Sequence, residues 1–372
     1  MVYPEYPTRR QNEEGCSLFH LEKHIGMNNK RILRQIVGID VAQKELVVSL
    51  GRLDEDLTPQ IYANKTLPNN EKGFISLIAW VRKNIKEEAP VLFVMEATGV
   101  YHESLAYFLD DKNWEISIVL PNKISNYFRT LEVKTITDKT ASQAIAQFGL
   151  ERKLDRWKRP KQVYRNLRQL TRERDQIVQE RTMVKNQLHA EKSEAFPNKT
   201  SLMRIKQRIE LLNKQESQIK AEIGELIKKD KEVSEAVEIL SSIPGIGQLT
   251  SAIVLAETNG FELIRNKKQI ASYAGLDVKE KESGTSVKGK PRISKRGNKY
   301  LRKALYLPAL SAIRSDPRFK EVYTRLVSKH GIKMKAAVAV QRKLLELLYT
   351  LFNTKTKYDK EYLTKLDIMI DQ

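Results

Sequence analysis

The chain has one cysteine, Cys16, in 372 residues. A lone thiol cannot build an internal disulfide framework, so a disulfide-stapled secreted scaffold is excluded and a reducing compartment is expected. Only five histidines are present, and they are scattered. With a single thiol they provide no spaced ligand set for a structural zinc site. No apolar run approaches the ~20 residues of a membrane span. No stretch has the charged start, apolar middle and small-residue end of a signal peptide. These absences point to a soluble protein of a reducing cytoplasm.

Positive charge, by contrast, is abundant. Lys and Arg number 66 against 46 Asp and Glu, a net charge of +20. Such an excess selects no fold, but it predicts attraction to a polyanion: DNA, RNA or an acidic membrane. Hydrophobic residues make up 41% of the chain, so a substantial core is available, and the length allows two or three domains.

Residues 1–30 are mostly polar and without period, and read as a disordered extension. Met1 and Met27 are both open as the first residue. From 31 to 155 the pattern is α/β. "QIVGIDVA", "ELVVSLG" and "PQIYANKTL" read as three strands in hairpin order. "NEKGFISLIAWVRKNI" has its apolar residues at helical spacing. "PVLFVMEATG" is a short apolar strand ending in Glu96, "VYHESLAYFLDDKN" a helix and "WEISIVL" a strand. "TDKTASQAIAQFGL" opens on a Thr-Asp capping signal and continues as a helix. This is the element order of an RNase H-like fold.

From 156 to 235 apolar residues recur in steps of three and four, interrupted at "EAFPNKTS". Pro197 cannot continue a helix, and Thr200 or Ser201 can cap the next one. The segment reads as a long antiparallel helical hairpin with coiled-coil seams. Arg174 and Arg181 lie on the apolar stripe, which favours self-association. From 236 to 355 the pattern is mostly helical with one irregular basic loop, and 356–372 is a tail.

Asp40 is an acid inside an apolar strand, where a charge is costly unless paired. In an RNase H-like sheet its strand lies beside the one ending in Glu96, and Asp138 opens a later helix. Three converging carboxylates repel one another at low dielectric. Divalent cations remove that penalty, and Mg2+ takes oxygen ligands. Two ions roughly 4 Å apart would activate a nucleophile and stabilise the leaving oxygen of a phosphodiester. Asp40, Glu96 and Asp138 are therefore the expected metal ligands and catalytic acids.

In the last third, "SSIPGIGQLTSAI" places Gly245 and Gly247 between helical segments, as in a helix-hairpin-helix. The following helix N-terminus can offer N–H groups to a phosphate. Between Val278 and Lys303 stand ten Lys or Arg and two Glu. Lys288, Arg292, Lys295 and Arg296 are the expected phosphate contacts of this loop.

"VGIDVAQKELVVSL", "VMEATGVYHESLAYFL" and "KTITDKTASQAIAQFGLERKLDRW" resemble the RuvC-like half of the DEDD transposases of the insertion-sequence-110 family, which includes the Piv-type invertases. "IPGIGQLTSAIVLAET", "FELIRNKKQIASYAGL" and "ESGTSVKGKPRISKRGNKYLRKALYLPAL" resemble its second half. The resemblance covers residues 30 to 355. It implies a bacterial DNA transposase or recombinase, Mg2+-dependent, with a C-terminal serine that becomes covalently joined to DNA. Ser283 is the best match to that serine, with Ser286 and Ser294 as rivals. It further implies a homodimer or homotetramer, a structured guide RNA and a nucleoid-associated location. One departure stands out. The family helix carries a second Asp one turn after the first, and here that position is Ala141. A junction nuclease that uses water in place of serine, and an inactive nucleic-acid-binding relic, are the competing expectations.

Overall fold

The computed structural model describes residues 31–361 apart from 87–88, 98, 132–134, 136, 263, 281, 284–286 and 289–291. The expected extension over 1–30, Ser286 and the end of the expected tail lie outside these residues. The chain divides into two compact units between Arg159 and Pro160.

The first unit is a five-stranded sheet with helices on both faces. β1 (Ile32–Val41), β2 (Glu45–Asp54) and β3 (Pro59–Pro68) form an antiparallel meander. After α1 (Glu71–Asn84) the chain enters β4 (Val91–Glu96), parallel to β1. α2 (Glu103–Asp111) leads to β5 (Glu115–Val119), parallel to β4. α3 (Pro121–Phe128) and α4 (Asp138–Glu151) complete the unit. The sheet order β3-β2-β1-β4-β5 is the RNase H-like order.

Alternation along β1 decides which helix lies on which face. Val37, Ile39 and Val41 pack with Phe93 and Met95 against Phe74 and Leu77 of α1 and Leu105 and Leu109 of α2. Ile36 and Val94 face the other way, onto Ile145, Ala146 and Leu150 of α4. Each of these side chains is fully or nearly fully buried, and each one larger than Ala146 contributes about 1.5–3 kcal/mol by leaving water.

Gly38 sets how close α4 can come. A Cβ there would lie 2.4 Å from the Ala146 backbone nitrogen. Gly149, one turn further on, meets Ile36 and Val94 in the same way. Residues 150, 149 and 146 of α4 thus meet Arg34, Ile36 and Gly38 of β1 in turn, so the helix runs antiparallel to the strand. Its first residue, Asp138, is delivered to the carboxyl edge of the sheet. Gly38→Ala is expected to destabilise the unit by about 1–3 kcal/mol, the usual cost of overpacking. A urea midpoint unchanged from wild type would show that α4 is free to retreat.

The second unit is helical apart from one arm. α5 (Gln162–Lys192) and α6 (Lys199–Lys229) form an antiparallel hairpin. Its far part is held by Val184, Ile205 and Leu212. The expected cap at Thr200 or Ser201 is corrected: Asn198 caps α6, accepting from the N–H groups of both. Arg174 and Arg181 on the apolar stripe find a partner within the chain. Both donate to Glu216 of α6, Arg174 at 2.7 Å, and Lys220 adds a third cation. Burial pushes the Glu216 carboxyl up, but these three donors outweigh it and hold it at about 2.

The hairpin's other end is part of a larger core. Tyr164, Leu167, Ile219, Ile223 and Ile227 pack into it with helices that follow. These are α7 (Lys231–Ser241), α8 (Gln248–Thr258), α9 (Lys267–Tyr273), α10 (Lys299–Ser315), α11 (Pro317–His330) and α12 (Lys333–Thr354). The stretch read as an irregular loop is an antiparallel arm between α9 and α10. β6 (Val278–Lys279) pairs with β9 (Arg292–Ile293), and β7 (Glu282–Ser283) with β8 (Val287–Lys288).

A candidate cleavage centre and a serine-bearing arm

Asp40 is the next residue after the Ile39–Met95 pair of β1 and β4, and Glu96 is the next residue after it on the other strand. The two acids therefore end neighbouring parallel strands at one level. Both lie on the α4 face, by alternation from Gly38 and Val94. Thr137 caps α4 in a capping box with Thr140, which fixes where Asp138 begins the helix. Asp40 feels all of this. Burial raises its carboxyl, the charges of Asp138 and then Glu96 raise it further, and a hydrogen bond from the Val41 backbone only partly offsets them. The result is about 6 in place of an ordinary 3.8. The three acids singled out in the sequence thus sit within electrostatic range of one another. Among the described residues no three His, Cys, Asp or Glu side chains gather closely enough to form a ready-made cation cage. The cluster is an open one.

Ala141 lies one turn after Asp138, and its N–H is donated to Thr137 O at 2.8 Å. The neighbouring Ser142 is fully buried and shares a 2.8 Å hydrogen bond with Ser49 of β2. That polar pair fastens the first half of α4 to the sheet beside the acids. A buried Ser49 with no hydroxyl opposite would be unsatisfied, so the serine after Ala141 has a structural reason to be there.

In the second unit Ser283 belongs to β7, paired with Val287 near the end of the arm. Ser294, a rival in the sequence, has a different place. Its Oγ donates to Asp277 Oδ1 at 2.6 Å, and its N–H to Asp277 O at 2.9 Å. This closes the base of the arm. Arg292, Lys295 and Arg296 are exposed, and Lys288 is in β8. Lys295 adopts a left-handed backbone, φ 52°, while donating its N–H to Gly275 O.

A buried acid that the sequence did not single out anchors the arm's exit. Glu257 of α8, 1% exposed at its side chain, takes two parallel hydrogen bonds from Arg172 at 2.8 and 2.9 Å. It takes a third from Asn298 at 2.6 Å. Asn298 in turn caps α10 through the N–H groups of Tyr300 and Leu301, and Arg172 lies over the Tyr300 ring. Three segments, α5, α8 and the arm's exit into α10, meet at one carboxylate. The only signal for it was an acid inside the apolar run "AIVLAETNG".

The Pro244–Gly247 turn does join two helices. Gly245 has φ +88°, and a Cβ there would lie 2.7 Å from Pro308 O of α10. Gly247 is extended, with nothing near its Cβ position. Only the first glycine is required by the turn itself. Gly247 is the N-cap of α8 and leaves that helix start without a side-chain cap.

A family profile described as Transposase, of the DEDD IS110 group, matches residues 37–197. A second, described as Transposase IS116/IS110/IS902 family, matches residues 237–324. The pilin gene-inverting protein of Moraxella lacunata is 27% identical over 325 residues, 87% of this chain and 97% of that protein. The transposase for insertion sequence element IS1111A of Coxiella burnetii is 23% identical, over 87% of this chain and 91% of that one. Among solved structures, Thermus thermophilus RuvC in complex with Holliday junction substrate covers 33% of this chain and 99% of its own at 7% identity. Its TM-score is 0.26, which adds nothing to the strand order. No helix among the described residues is long and apolar enough to cross a membrane. With the two profiles following one another along residues 37–197 and 237–324, and relatives matched over nearly their whole length that are named for inverting a gene or for transposition, the chain belongs to the IS110 family of DEDD transposases and is a DNA transposase or recombinase.

Proposed function

We propose that the carboxyl edge of the first unit is the cleavage centre and that Ser283 is the residue that becomes joined to DNA. The observation that carries this reading is the convergence on Asp40 of Glu96 and Asp138, brought together from two strands and a helix far apart in sequence, whose charges hold the Asp40 carboxyl above its ordinary value. The donor set is all hard oxygen, which fits Mg2+ and not a softer ion. Asp40, Glu96 and Asp138 would hold it, and a bound divalent ion would supply Lewis acidity to the phosphodiester oxygens.

Ser283 supplies the covalent step. Its Oγ forms a bond to phosphorus, and the bond from phosphorus to the departing strand end breaks. The hydroxyl proton passes to the departing oxygen. Attack by a free hydroxyl end of the incoming strand reverses these changes: the phosphodiester forms again and the serine regains its proton. Lys288, Arg292, Lys295 and Arg296 would hold phosphates along the arm, without reading sequence. Gly245 and Gly247 would present the start of α8 to another phosphate. The family resemblance adds a homodimer or homotetramer with shared sites and a structured guide RNA as the source of target choice.

The decisive experiment traps the intermediate. Purified protein, Mg2+ and DNA carrying the ends of the element should give a protein–DNA adduct on denaturing gels, with the linked peptide containing Ser283. Mg2+-dependent cleavage without an adduct would replace serine by water. No cleavage and no adduct would leave a binding relic.

Ala141 supplies a finer test. Ala and Asp differ by less than about 1 kcal/mol in helix propensity, so Ala141→Asp should leave the fold unchanged. It adds a fourth hard-oxygen donor one turn after Asp138. Adduct formation should therefore saturate at a several-fold lower Mg2+ concentration in Ala141→Asp than in wild type. Superimposable Mg2+ curves would mean that the three acids are complete.

A further inference from the structure

The chain that leaves β1 after Val41 and the chain that leaves β4 after Glu96 both reach one cavity, the first through Gln43 and the second through Val100 and Tyr101. Its volume is about 470 Å3, and beside these residues it is lined by Asn69, Asn70, Glu71, Phe74 and Ser104 of the first unit. That volume is in the range of sites that take small planar ligands.

Its walls are held apart in a defined way. Asn69 donates its side-chain amide to Ala42 O at 2.8 Å and to Tyr101 O at 3.2 Å, so it ties one wall to the other. Its N–H is donated to Lys44 O at 2.9 Å. Asn70 caps α1 by accepting from Gly73 N at 3.0 Å, which leaves its amide NH2 at the rim. Gly73 itself lies so close to Pro68 O that a Cβ there would be 1.8 Å away, so this corner cannot relax outward. On this fixed frame Tyr101 is 42% exposed and Val100 67% exposed. Exposed aromatic and apolar surface beside primary amides is a poor arrangement for water alone. It is the combination that takes an unstacked nucleobase, with the ring on the aromatic side chain and amides at the base's polar edge.

We propose that this cavity holds a nucleobase of the cleaved DNA strand, one flanking the scissile phosphate, stacked on Tyr101. The proposal rests on the reading of the carboxyl edge as the cleavage centre. Gln43 follows Asp40 by three residues and Tyr101 follows Glu96 by five, so the rim is a short run of backbone from the acids around the carboxyl edge of the sheet. A base splayed there would stiffen the backbone at the acids and fix which phosphate is presented. Gln43, exposed at the β1–β2 turn, meets its polar edge.

The test reads binding and cleavage separately. Full-length protein is irradiated with a short single-stranded DNA of random sequence carrying 5-iodouracil, and the cross-linked residue is identified by mass spectrometry. Tyr101 should be a principal site. Tyr101→Ala should lower the yield of that cross-linked peptide and weaken DNA binding roughly tenfold, the size of one base–aromatic stack. Tyr101→Phe should keep both near wild type. Tyr101 lies in a turn and is 42% exposed, and the melting curve of Tyr101→Ala checks that it folds. Cross-links confined to the arm over 278–293, with cleavage intact, overturn the cavity proposal and leave the cleavage centre standing. Cross-linking at Tyr101 with no cleavage under any condition supports the base site and overturns the cleavage reading. Preference for the ribose form of the same oligonucleotide, with no binding of the DNA form, overturns the proposal in favour of an RNA site.

Discussion

Asp40→Asn should lower DNA strand cleavage by about a thousandfold or more while making the protein more stable. The loss follows from removing the central acid of the cluster, a group expected to act on charge that develops at the phosphate. The gain follows from linkage. The Asp40 carboxyl is raised to about 6 by burial and by Asp138 and Glu96. The folded chain therefore binds more protons at this position than the unfolded chain between about pH 4 and pH 6. The stabilising effect of protonated Asp40 is fully present below pH 4 and lost as pH rises through 6. At pH 7.5 the native state carries the whole cost of the ionised group. Two pH units correspond to about 3 kcal/mol, and partial exposure to solvent reduces this to about 1–2 kcal/mol. Asp40→Asn removes that cost, so its melting temperature should exceed that of wild type by several degrees at pH 7.5 and match it near pH 4. Added Mg2+ should raise the melting temperature of wild type and leave that of Asp40→Asn unmoved. Equal melting temperatures at both pH values would mean that the acids do not repel as described. Cleavage at the wild-type rate would remove Asp40 from the chemistry.

Ser283→Ala should eliminate the covalent protein–DNA adduct outright, since no other atom of the side chain can take its place. Cleavage and strand exchange should fall with it to background. Binding of DNA should persist within about twofold, because the arm's cations are untouched. Ser294→Ala is the informative contrast. Ser294 spends its hydroxyl on Asp277 at the base of the arm, so its loss should cost about 1 kcal/mol of stability and reduce the adduct only in part. An adduct that survives Ser283→Ala and vanishes in Ser294→Ala would transfer the role to the anchored serine, with Asp277 as its base.

The sheet and the three acids were legible in the sequence because each rests on a local signal. Apolar runs with a single acid at a fixed place in the strand order need no partner to be read, and Thr137 announces the start of α4. Where the signal was weak, so was the reading. α3 has only Ile124 and Tyr127 on its buried side, too few to show a period. The arm's strands are two residues each and set in a run of charges, which hides their alternation. Asn198 was passed over because Thr200 and Ser201, equally good caps by type, follow it. Glu257 was out of reach altogether. Its partners Arg172 and Asn298 are 85 and 41 residues away, and only the fold makes one salt bridge and one cap into a single junction. Arg174 and Arg181 were read from their place on an apolar stripe as favouring another subunit, and their partner within the chain, Glu216 on the neighbouring helix, was not foreseen.

That acid also makes the hairpin a measuring rod. Each of its helices has 31 residues, roughly 46 Å at 1.5 Å per residue. Sliding α6 by one turn would strand Glu216 and two arginines in the seam, and a buried charge stripped of its partners costs several kcal/mol. The helices can therefore meet in one alignment only, and the distance from the core to the Asn198 turn is set in whole turns. Whatever touches that turn is held at a span that changes only by paired insertions or deletions in both helices beyond the clamp.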